Sequence, residues 1–330
     1  KDGIEVDYAR GYVGDVTGNY NGVTTGQNLE DKRSEAKLIA EAVEKAKTAD
    51  YVIMFGGLNK SDFQDCEGHD RKHYELPYHQ DKLIEALAKA NRNFVYVNIS
   101  GNAVAMPWKA KVAGIVQGWF IGSESGEALA SILTGDANPS GKLPFTWVNS
   151  LKETGAHALN TYPGTWRQKG GASTKGNIID EEYKEGIYVG YRWTDKERIK
   201  PTFAFGHGLS YTQFAISNLR SDKIQMKQDG TITFTVNVKN TGKRAGAETV
   251  QLYIHDVEAS VDRPQKELKG FQKVHLQPGE SKDISITISK EALSFYDEAS
   301  SSWKAEAGKF EALVGNAADN LKLKKAFELF

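Results

Sequence analysis

Up to about Gly135, the chain alternates between segments of helical period and short, uninterrupted apolar runs. Ser34 precedes a segment in which apolar residues recur every three or four positions, so a capped helix is predicted there. The apolar runs that predict strands are Tyr51–Phe55, Phe94–Ile99 and Ala113–Trp119. Further helical patterns span Leu83–Ala90 and Glu127–Leu133. Apolar strands that alternate with helices are typical of a parallel sheet covered on both faces, so we predict an α/β/α sandwich.

The loops that follow these strands are expected to lie together. In a parallel sheet every strand has its carboxyl end at the same edge, and an α/β protein usually carries its chemistry at that edge. We therefore expect three loops to share one rim: Asp50–Pro77, Ser100–Trp108 and Gly118–Gly126.

The period changes to two from about Ile216 onward. Apolar and polar residues alternate in segments around Ile232–Val238, Val250–Ile254, Ile284–Ile288 and Phe310–Val314. Short alternating strands separated by turn residues are typical of an antiparallel β-sandwich. Because the sequence has one cysteine, Cys66, no cysteine pair can join the sheets. The sandwich is therefore predicted to be of the fibronectin type III kind rather than the antibody kind.

These patterns predict three regions. An α/β domain is predicted at 1–160, and a β-sandwich is predicted at 216–330. The residues between them, 161–215, are rich in glycine and aromatic side chains. That composition is too aromatic for a disordered linker, so a connector packed between domains is predicted.

Composition narrows the function classes. A formal net charge of -1 over 330 residues gives no reason to expect a nucleic-acid partner or an anionic membrane surface. No apolar run approaches the roughly 20 residues that span a bilayer. Neither a P-loop nor a G-x-G-x-x-G motif follows a strand, so no nucleotide cofactor is predicted.

The loop from Gly56 to Pro77 holds the densest set of reactive side chains, and Glu67 is its first candidate. Cleavage of a glycosidic bond requires one carboxylic acid to protonate the leaving oxygen and a second carboxylate. A glutamate followed by Gly68 can move over a substrate and become partly desolvated there, which would raise its pKa into a useful range. The alternative is a solvated, ion-paired loop face made of Asp65, Glu67, Asp70, Arg71 and Lys72.

The same loop contains possible zinc ligands. Cys66, His69 and His73 follow the spacing C-x2-H-x3-H, which would suit zinc if a helix ran there. Gly68 and the turn expected at Pro77 oppose such a helix, and no fourth ligand is evident. We therefore predict no metal.

Other reactive residues favour structural roles. The segment Gly122–Gly126 resembles a nucleophile elbow, but its middle residue is Glu124, so Ser123 or Ser125 is predicted to cap a helix. His207 stands between two glycines, where a turn that holds a buried histidine is favoured. Several tryptophans could stack on sugar rings, but core or interface positions are favoured. They are Trp108, Trp119, Trp147, Trp166 and Trp193.

Several motifs, in order along nearly the whole chain, resemble those of family-3 glycoside hydrolases, and bacterial β-glucosidases in particular. The first combines Glu67-Gly-His-Asp-Arg71 with Leu76-Pro77 and Gln80. The middle ones are Asn138–Pro144 with Thr146-Trp147, Tyr183–Arg192 and Phe205–Thr212. The last, in the fibronectin-like region, are Lys239–Gly242, Arg263-Pro264, Glu267–Phe271 and Pro278–Glu280.

The resemblance implies that the two catalytic carboxyl groups come from two different domains. In that family an N-terminal TIM-like barrel carries the nucleophilic aspartate in an S-D-W-type motif, and no such motif occurs in this sequence. The general acid/base comes from the second domain, and the match places it at Glu67. Asp70 and Arg71 are expected to orient the loop. The chain is thus expected to be the C-terminal half of the enzyme, and the barrel would be a separate chain, a cleaved partner or a missing part.

The implied activity is that of a retaining, exo-acting β-glucosidase without a cofactor. Its substrates would be β-linked glucosides or oligosaccharides with a terminal non-reducing glucosyl residue. Two alternatives stay open: a β-xylosidase of the same family, or a non-catalytic carbohydrate-binding or assembly module. The resemblance further implies a periplasmic or secreted location, and oligomers are possible.

Overall fold

The computed structural model describes residues 3–16, 19–20, 23–24, 29–166 and 179–330. The chain divides into two compact units, Lys1–Ala130 and Ser131–Phe330. The domain boundaries predicted near residues 160 and 215 stay predictions. Within the described residues, no helix has the length and apolar character needed to cross a membrane.

The first unit contains the predicted parallel sheet. Its strands, in spatial order, are Val52–Gly57, Phe94–Ile99 and Gly114–Gln117. Its α-helices are Glu35–Thr48 and Gln80–Ala90, with a short 3-10 turn at Lys109–Lys111. A further helix, Ser125–Leu133, begins in this unit and ends three residues beyond its boundary. A two-residue ladder pairs Asn19–Tyr20 with Val23–Thr24. The predicted alternation of helices and parallel strands is confirmed.

Helix boundaries and burial follow the sequence pattern. Ser34 caps the first helix, because its side chain accepts a hydrogen bond from the amide of Lys37 at 3.3 Å. That helix buries Leu38, Ala42 and Ala46, which lie on one face at spacings of four. The predicted cap and apolar face are therefore confirmed.

The sheet is more buried in its middle strand than at its edge. Phe94, Tyr96 and Val97 are fully buried, as expected for a central parallel strand. In the edge strand, Met54 is buried, whereas Ile53 and Phe55 on the opposite face are 44% and 50% exposed.

The second unit contains the antiparallel strands. One sheet is ordered Ser281–Ser289, Thr231–Asn240, Phe214–Ser221. The other is ordered Glu267–Leu276, Gly246–Asp256, Gly308–Gly315, Leu321–Leu329, with Gln225–Met226 parallel at its edge. Inward residues of both sheets, such as Phe234, Leu252 and Phe310, form one apolar core. The predicted fibronectin-like β-sandwich is confirmed.

Shorter elements complete this unit. Its helices are Gly155–Ala158, Tyr191–Lys196 and Lys290–Leu293, with a 3-10 turn at Leu151–Glu153. Its two-stranded ladders are Phe295–Asp297 with Ser302–Lys304, and Thr165–Trp166 with Ile179–Asp180.

A buried charge cluster lies where the helix Tyr191–Lys196 meets the β-sandwich. Arg263, with its side chain 7% exposed, pairs with Asp256 at 3.2 Å and Glu267 at 2.5 Å. Arg192, from that helix, also pairs with Glu267, at 3.1 Å. Three of the motifs noted in the sequence each contribute one residue to the cluster, namely Tyr183–Arg192, Arg263-Pro264 and Glu267–Phe271.

Candidate active site

The loop that follows the edge strand is closed at its base by Gln80. The Gln80 side chain accepts a hydrogen bond from the amide of Gly57 at 2.7 Å and donates to the carbonyls of Gly57 and Pro77 at 2.8 and 3.0 Å. Gln80 is fully buried, so these bonds are shielded from water. Gly57 has φ +126°, and a Cβ there would lie 2.1 Å from the Ile99 carbonyl oxygen, so only glycine fits.

Hydrogen bonds between polar groups of the loop itself also fix its conformation. The Gln64 side chain accepts from the amide of Asn59 at 3.1 Å and donates to the Tyr78 hydroxyl at 2.5 Å. The carbonyl of Asn59 accepts from the amide of Asp65 at 3.0 Å. Between residues 58 and 79 no regular helix or strand forms, so these bonds define the path of the chain.

Asp65 fixes this loop to the loop after the central strand. Its two carboxylate oxygens accept from the amide of Gly101 and the side-chain amide of Asn102, each at 2.6 Å. Asp65 is 9% exposed, and hydrogen bonds to a buried carboxylate are strong because the acceptor is charged. The solvated loop face considered from the sequence is therefore wrong for Asp65.

Arg71 makes a second link between the same loops. Its guanidinium donates to the Asn102 side-chain oxygen at 2.7 Å and to the Ala103 carbonyl at 2.5 Å. Burial lowers the pKa of Arg71 from its ordinary value, while the charge of Asp65 acts to raise it. A guanidinium remains protonated at neutral pH, so both of these hydrogen bonds are charge-assisted.

The loop after the third strand joins the other two. At the end of the third strand, the Gln117 side chain donates to the carbonyl of Ser100 at 2.9 Å. The ring of Phe120 lies under the Lys60 ammonium, which is 4.3 Å from the ring centroid. A Cβ on Gly101 would lie 3.4 Å from the same ring. The predicted meeting of the three loops at the carboxyl edge of the sheet is confirmed.

Glu67 lies on the outer part of this anchored loop. Its side chain is exposed, and it makes no hydrogen bond or ion pair with any other described residue. A Cβ on the following Gly68 would meet nothing within 4 Å. Asp70 is exposed as well. The structure thus holds Glu67 beside two tightly bound residues, Asp65 and Arg71, while its own carboxylate faces solvent.

The possible metal ligands group differently from the sequence spacing. Asp62, Cys66 and His69 place their ligand atoms within 4.8 Å of one another. His73, which the spacing joined to Cys66 and His69, is outside that group. No helix forms between residues 66 and 73, as expected from Gly68.

The other predictions about single residues can be checked in part. Ser125 begins the helix Ser125–Leu133, two residues before the predicted start. His207 is partly buried and stacks on Phe203, with ring centroids 5.0 Å apart. Trp108, Trp147 and Trp193 are buried, in agreement with a core role. The side chain of Trp166 lies outside the described residues.

Asp65 is the residue that sequence reasoning missed as an anchor. Its partners come from a loop 36 and 37 positions further along the chain, so nothing near Asp65 distinguishes it from the other carboxylates. The only available signal was that parallel strands bring their following loops together. That rule identifies the loops in contact but not the side chains that touch.

Comparison with known proteins agrees with this arrangement. Residues 6–191 match the family described as "Glycosyl hydrolase family 3 C-terminal domain", and residues 248–318 match the "Fibronectin type III-like domain". The chain therefore belongs to glycoside hydrolase family 3.

Individual relatives are β-glucosidases. Beta-glucosidase BoGH3A of Bacteroides ovatus is 50% identical over 87% of this chain. Thermostable beta-glucosidase B of Acetivibrio thermocellus is 41% identical over 91% of it. The crystal structure of the Bifidobacterium adolescentis GH3 beta-glucosidase superposes with a TM-score of 0.81 at 34% identity, over 91% of this chain. The matches span 37%, 38% and 42% of those three proteins, so the chain corresponds to part of their length.

Proposed function

We propose that this chain is part of a retaining, exo-acting β-glucosidase in which Glu67 is the general acid/base. The observation that carries the proposal is an exposed carboxylate on a loop anchored on both sides, at Asp65 and at Arg71. Relatives that are 50% and 41% identical are β-glucosidases, which supports the reaction class. Export to the periplasm or the cell exterior stays a prediction.

In the proposed reaction Glu67 acts twice. As a carboxylic acid it protonates the glycosidic oxygen while a second carboxylate attacks the anomeric carbon and expels the aglycone. As a carboxylate it then takes a proton from the water that hydrolyses the glycosyl-enzyme ester. Retention requires the two carboxyl groups to approach within about 5–5.5 Å. We propose that the second carboxylate belongs to an N-terminal barrel, since the matched region covers 37% of the length of BoGH3A.

The anchoring explains how one exposed glutamate can be a precise catalyst. A proton donor must be held near the leaving oxygen, because misplacement by about 1 Å can cost roughly 100-fold in rate. Asp65 and Arg71 are bound to the Gly101–Ala103 segment, and Gln80 holds the base of the loop. The Glu67 carboxylate is left unpaired among the described residues, so substrate need not displace an internal partner.

The test is Glu67→Gln in the complete enzyme, this chain together with its barrel. Loss of the acid should slow cleavage of a natural β-glucoside by about 100- to 10,000-fold, and cleavage of an activated aryl glucoside less. Azide should restore part of the aryl activity, because a small anion can attack the intermediate without a base. Glu75→Gln, on the same loop and also exposed, is the matched control. Unchanged cleavage of the natural substrate by Glu67→Gln would exclude this role.

Two further measurements separate the alternatives. Comparing aryl β-glucoside with aryl β-xyloside in the complete enzyme decides the sugar, and faster xyloside turnover would favour the β-xylosidase. A chain that binds glucan but fails to support hydrolysis with any barrel partner would be a carbohydrate-binding or assembly module. Turnover of an aryl β-glucoside by residues 1–330 alone would contradict a nucleophile supplied from elsewhere.

A further inference from the structure

Three side chains of different chemistry converge beside Glu67. The carboxylate of Asp62, the thiol of Cys66 and the imidazole of His69 have ligand atoms within 4.8 Å of one another. The Nδ1 atom of His69 lies 3.7 Å from a carboxylate oxygen of Asp62. Asp62 and His69 are exposed and Cys66 is partly buried, so an ion in solution can reach all three.

Contacts within the loop hold this group together without an ion. Phe63 has φ +63°, and this left-handed residue turns the chain directly after Asp62. The His69 ring packs on the Phe63 ring, with centroids 4.7 Å apart. The Cys66 thiol lies 3.3 Å from the His69 carbonyl oxygen, to which it can donate. The ligands are thus brought near each other by the fold of the loop.

We propose that Asp62, Cys66 and His69 form a binding site for Zn²⁺. Zinc takes thiolate, imidazole and carboxylate ligands together, and three protein ligands leave the fourth tetrahedral position for water. The thiolate selects against Mg²⁺ and Ca²⁺, which bind oxygen ligands. Metal bonds of about 2.0–2.3 Å require the ligand atoms to move closer by about 1 Å, which exposed side chains can do by rotation.

The charge of the loop favours a cation. Residues 60–75 carry five carboxylates and three basic side chains, a formal charge of -2 with neutral histidines. Of the three basic side chains, Lys72 has its ammonium 3.5 Å from the Phe63 ring centroid. Zinc binding releases the thiol proton, so affinity should fall as the pH is lowered. The ion would bind reversibly from solution and would not be a resident cofactor.

Occupancy of this site should inhibit hydrolysis, an expectation that rests on the proposed role of Glu67. Cys66 precedes Glu67 directly, and His69 follows it by two positions. An ion bonded to both neighbours would draw Cys66 and His69 together and shift the Glu67 that lies between them. A misplaced carboxylate would protonate the glycosidic oxygen more slowly.

Direct binding tests the site itself. The metal-free chain, kept reduced with a phosphine, is titrated with zinc chloride by calorimetry. One saturable site is expected, weakened at least about 10-fold by Cys66→Ser and by His69→Asn. His73→Asn is the matched control and should bind as the parent does, because His73 is outside the group. Absence of saturable binding, or equal losses in His69→Asn and His73→Asn, would overturn the site.

Inhibition is measured separately in the complete enzyme. For each variant the rate with zinc is divided by its own rate without zinc, so basal differences cancel. The parent ratio should fall and recover with a chelator, Mg²⁺ should have no effect, and Cys66→Ser should resist zinc. An undiminished zinc effect in Cys66→Ser would overturn the link to this loop. If Glu67→Gln stayed active, the proposed function would fail, while the calorimetric result would stand independently.

Discussion

The loop of Glu67 and the cluster around Arg263 use the same kinds of side chain in opposite ways. In the loop, Glu67 is exposed and has no partner among the described residues. In the cluster, Asp256 and Glu267 have side chains 7% and 12% exposed and both pair with Arg263. A buried, paired carboxylate serves the fold, because removing its partner leaves an uncompensated charge. An exposed, unpaired one contributes little to the fold and is available for chemistry.

The pKa shifts in the buried cluster show that its carboxylates are not equivalent. Burial raises the pKa of Asp256, although the charge of Arg263 acts to lower it. Burial also acts to raise the pKa of Glu267, but the charges of Lys269, Arg263 and Arg192 outweigh it and lower that pKa. Glu267 is therefore the carboxylate that the cluster holds most firmly in its ionised form.

The largest effect on stability is expected from Arg263→Met. The change leaves Asp256 and Glu267 buried without their shared partner and removes the hydrogen bond to the Leu293 carbonyl at 2.8 Å. The free energy of unfolding should fall by about 3–5 kcal/mol, measured by denaturant titration. Arg220→Met is the control, since Arg220 pairs with Asp283 at the surface, with side chains 54% and 50% exposed. Equal losses in both variants would remove the distinction between buried and exposed pairs.

A smaller effect is expected from Asp65→Asn. Asparagine keeps one acceptor oxygen and turns its NH₂ group toward either the Gly101 amide or the Asn102 side chain, both of which are donors. The mismatch should cost about 1–3 kcal/mol. Hydrogen exchange should become faster in the loop and at Gly101, as detected by mass spectrometry. Glu75→Gln is the control and should exchange at the rate of the parent. If Asp65→Asn also exchanged at the rate of the parent, Asp65 would not anchor the loop.

As the pH falls, ionisation of Glu267 and of Asp256 should change the free energy of unfolding in opposite directions. The pKa of Glu267 is lowered from 4.5, so its contribution is present above that pH and is lost as the pH falls through the folded-state pKa. Glu267→Gln should therefore lose less stability between about pH 5 and 3 than the parent, by at most about 1.4 kcal/mol per pH unit.

Asp256 provides the opposite case for the same measurement. Its pKa is raised from 3.8, so the folded state binds a proton at a higher pH than the unfolded state does. This proton uptake reduces the stability that the parent loses as the pH falls. Asp256→Asn lacks that uptake and should lose stability more steeply. Melting temperatures of the parent and both variants at pH 6, 5, 4 and 3 compare the slopes. Slopes that change in the same direction would contradict these assignments.

The smallest effect on stability is expected from Glu67→Gln, the variant with the largest proposed effect on activity. An exposed side chain without a described partner can be replaced with a change below about 0.5 kcal/mol in the free energy of unfolding. A loss of several kcal/mol would show that Glu67 serves the fold and would weaken the comparison. Circular dichroism during thermal unfolding is sufficient for this test.

Much of the fold could be predicted because periodicity is summed over many residues. The strand predicted at Phe94–Ile99 has the same bounds in the structure, and the one predicted at Tyr51–Phe55 is displaced by one or two residues. The segments in which apolar and polar residues alternate form strands such as Thr231–Asn240 and Gly246–Asp256. A single misread position cannot change such a pattern, since every apolar side chain on the buried face contributes to it.

By itself, the sequence determined the order of the elements, the family motifs and the choice of Glu67 as candidate acid. Only the tertiary structure decided which of the neighbouring carboxylates is buried, since the partners of Asp65 lie 36 and 37 positions away. The tertiary structure also showed that Asp62, and not His73, lies beside Cys66 and His69. The reason is that an irregular loop does not follow helical spacing. Whether a side chain is buried or paired depends on which distant segment of the chain packs against it. The residues near it in sequence do not determine that packing.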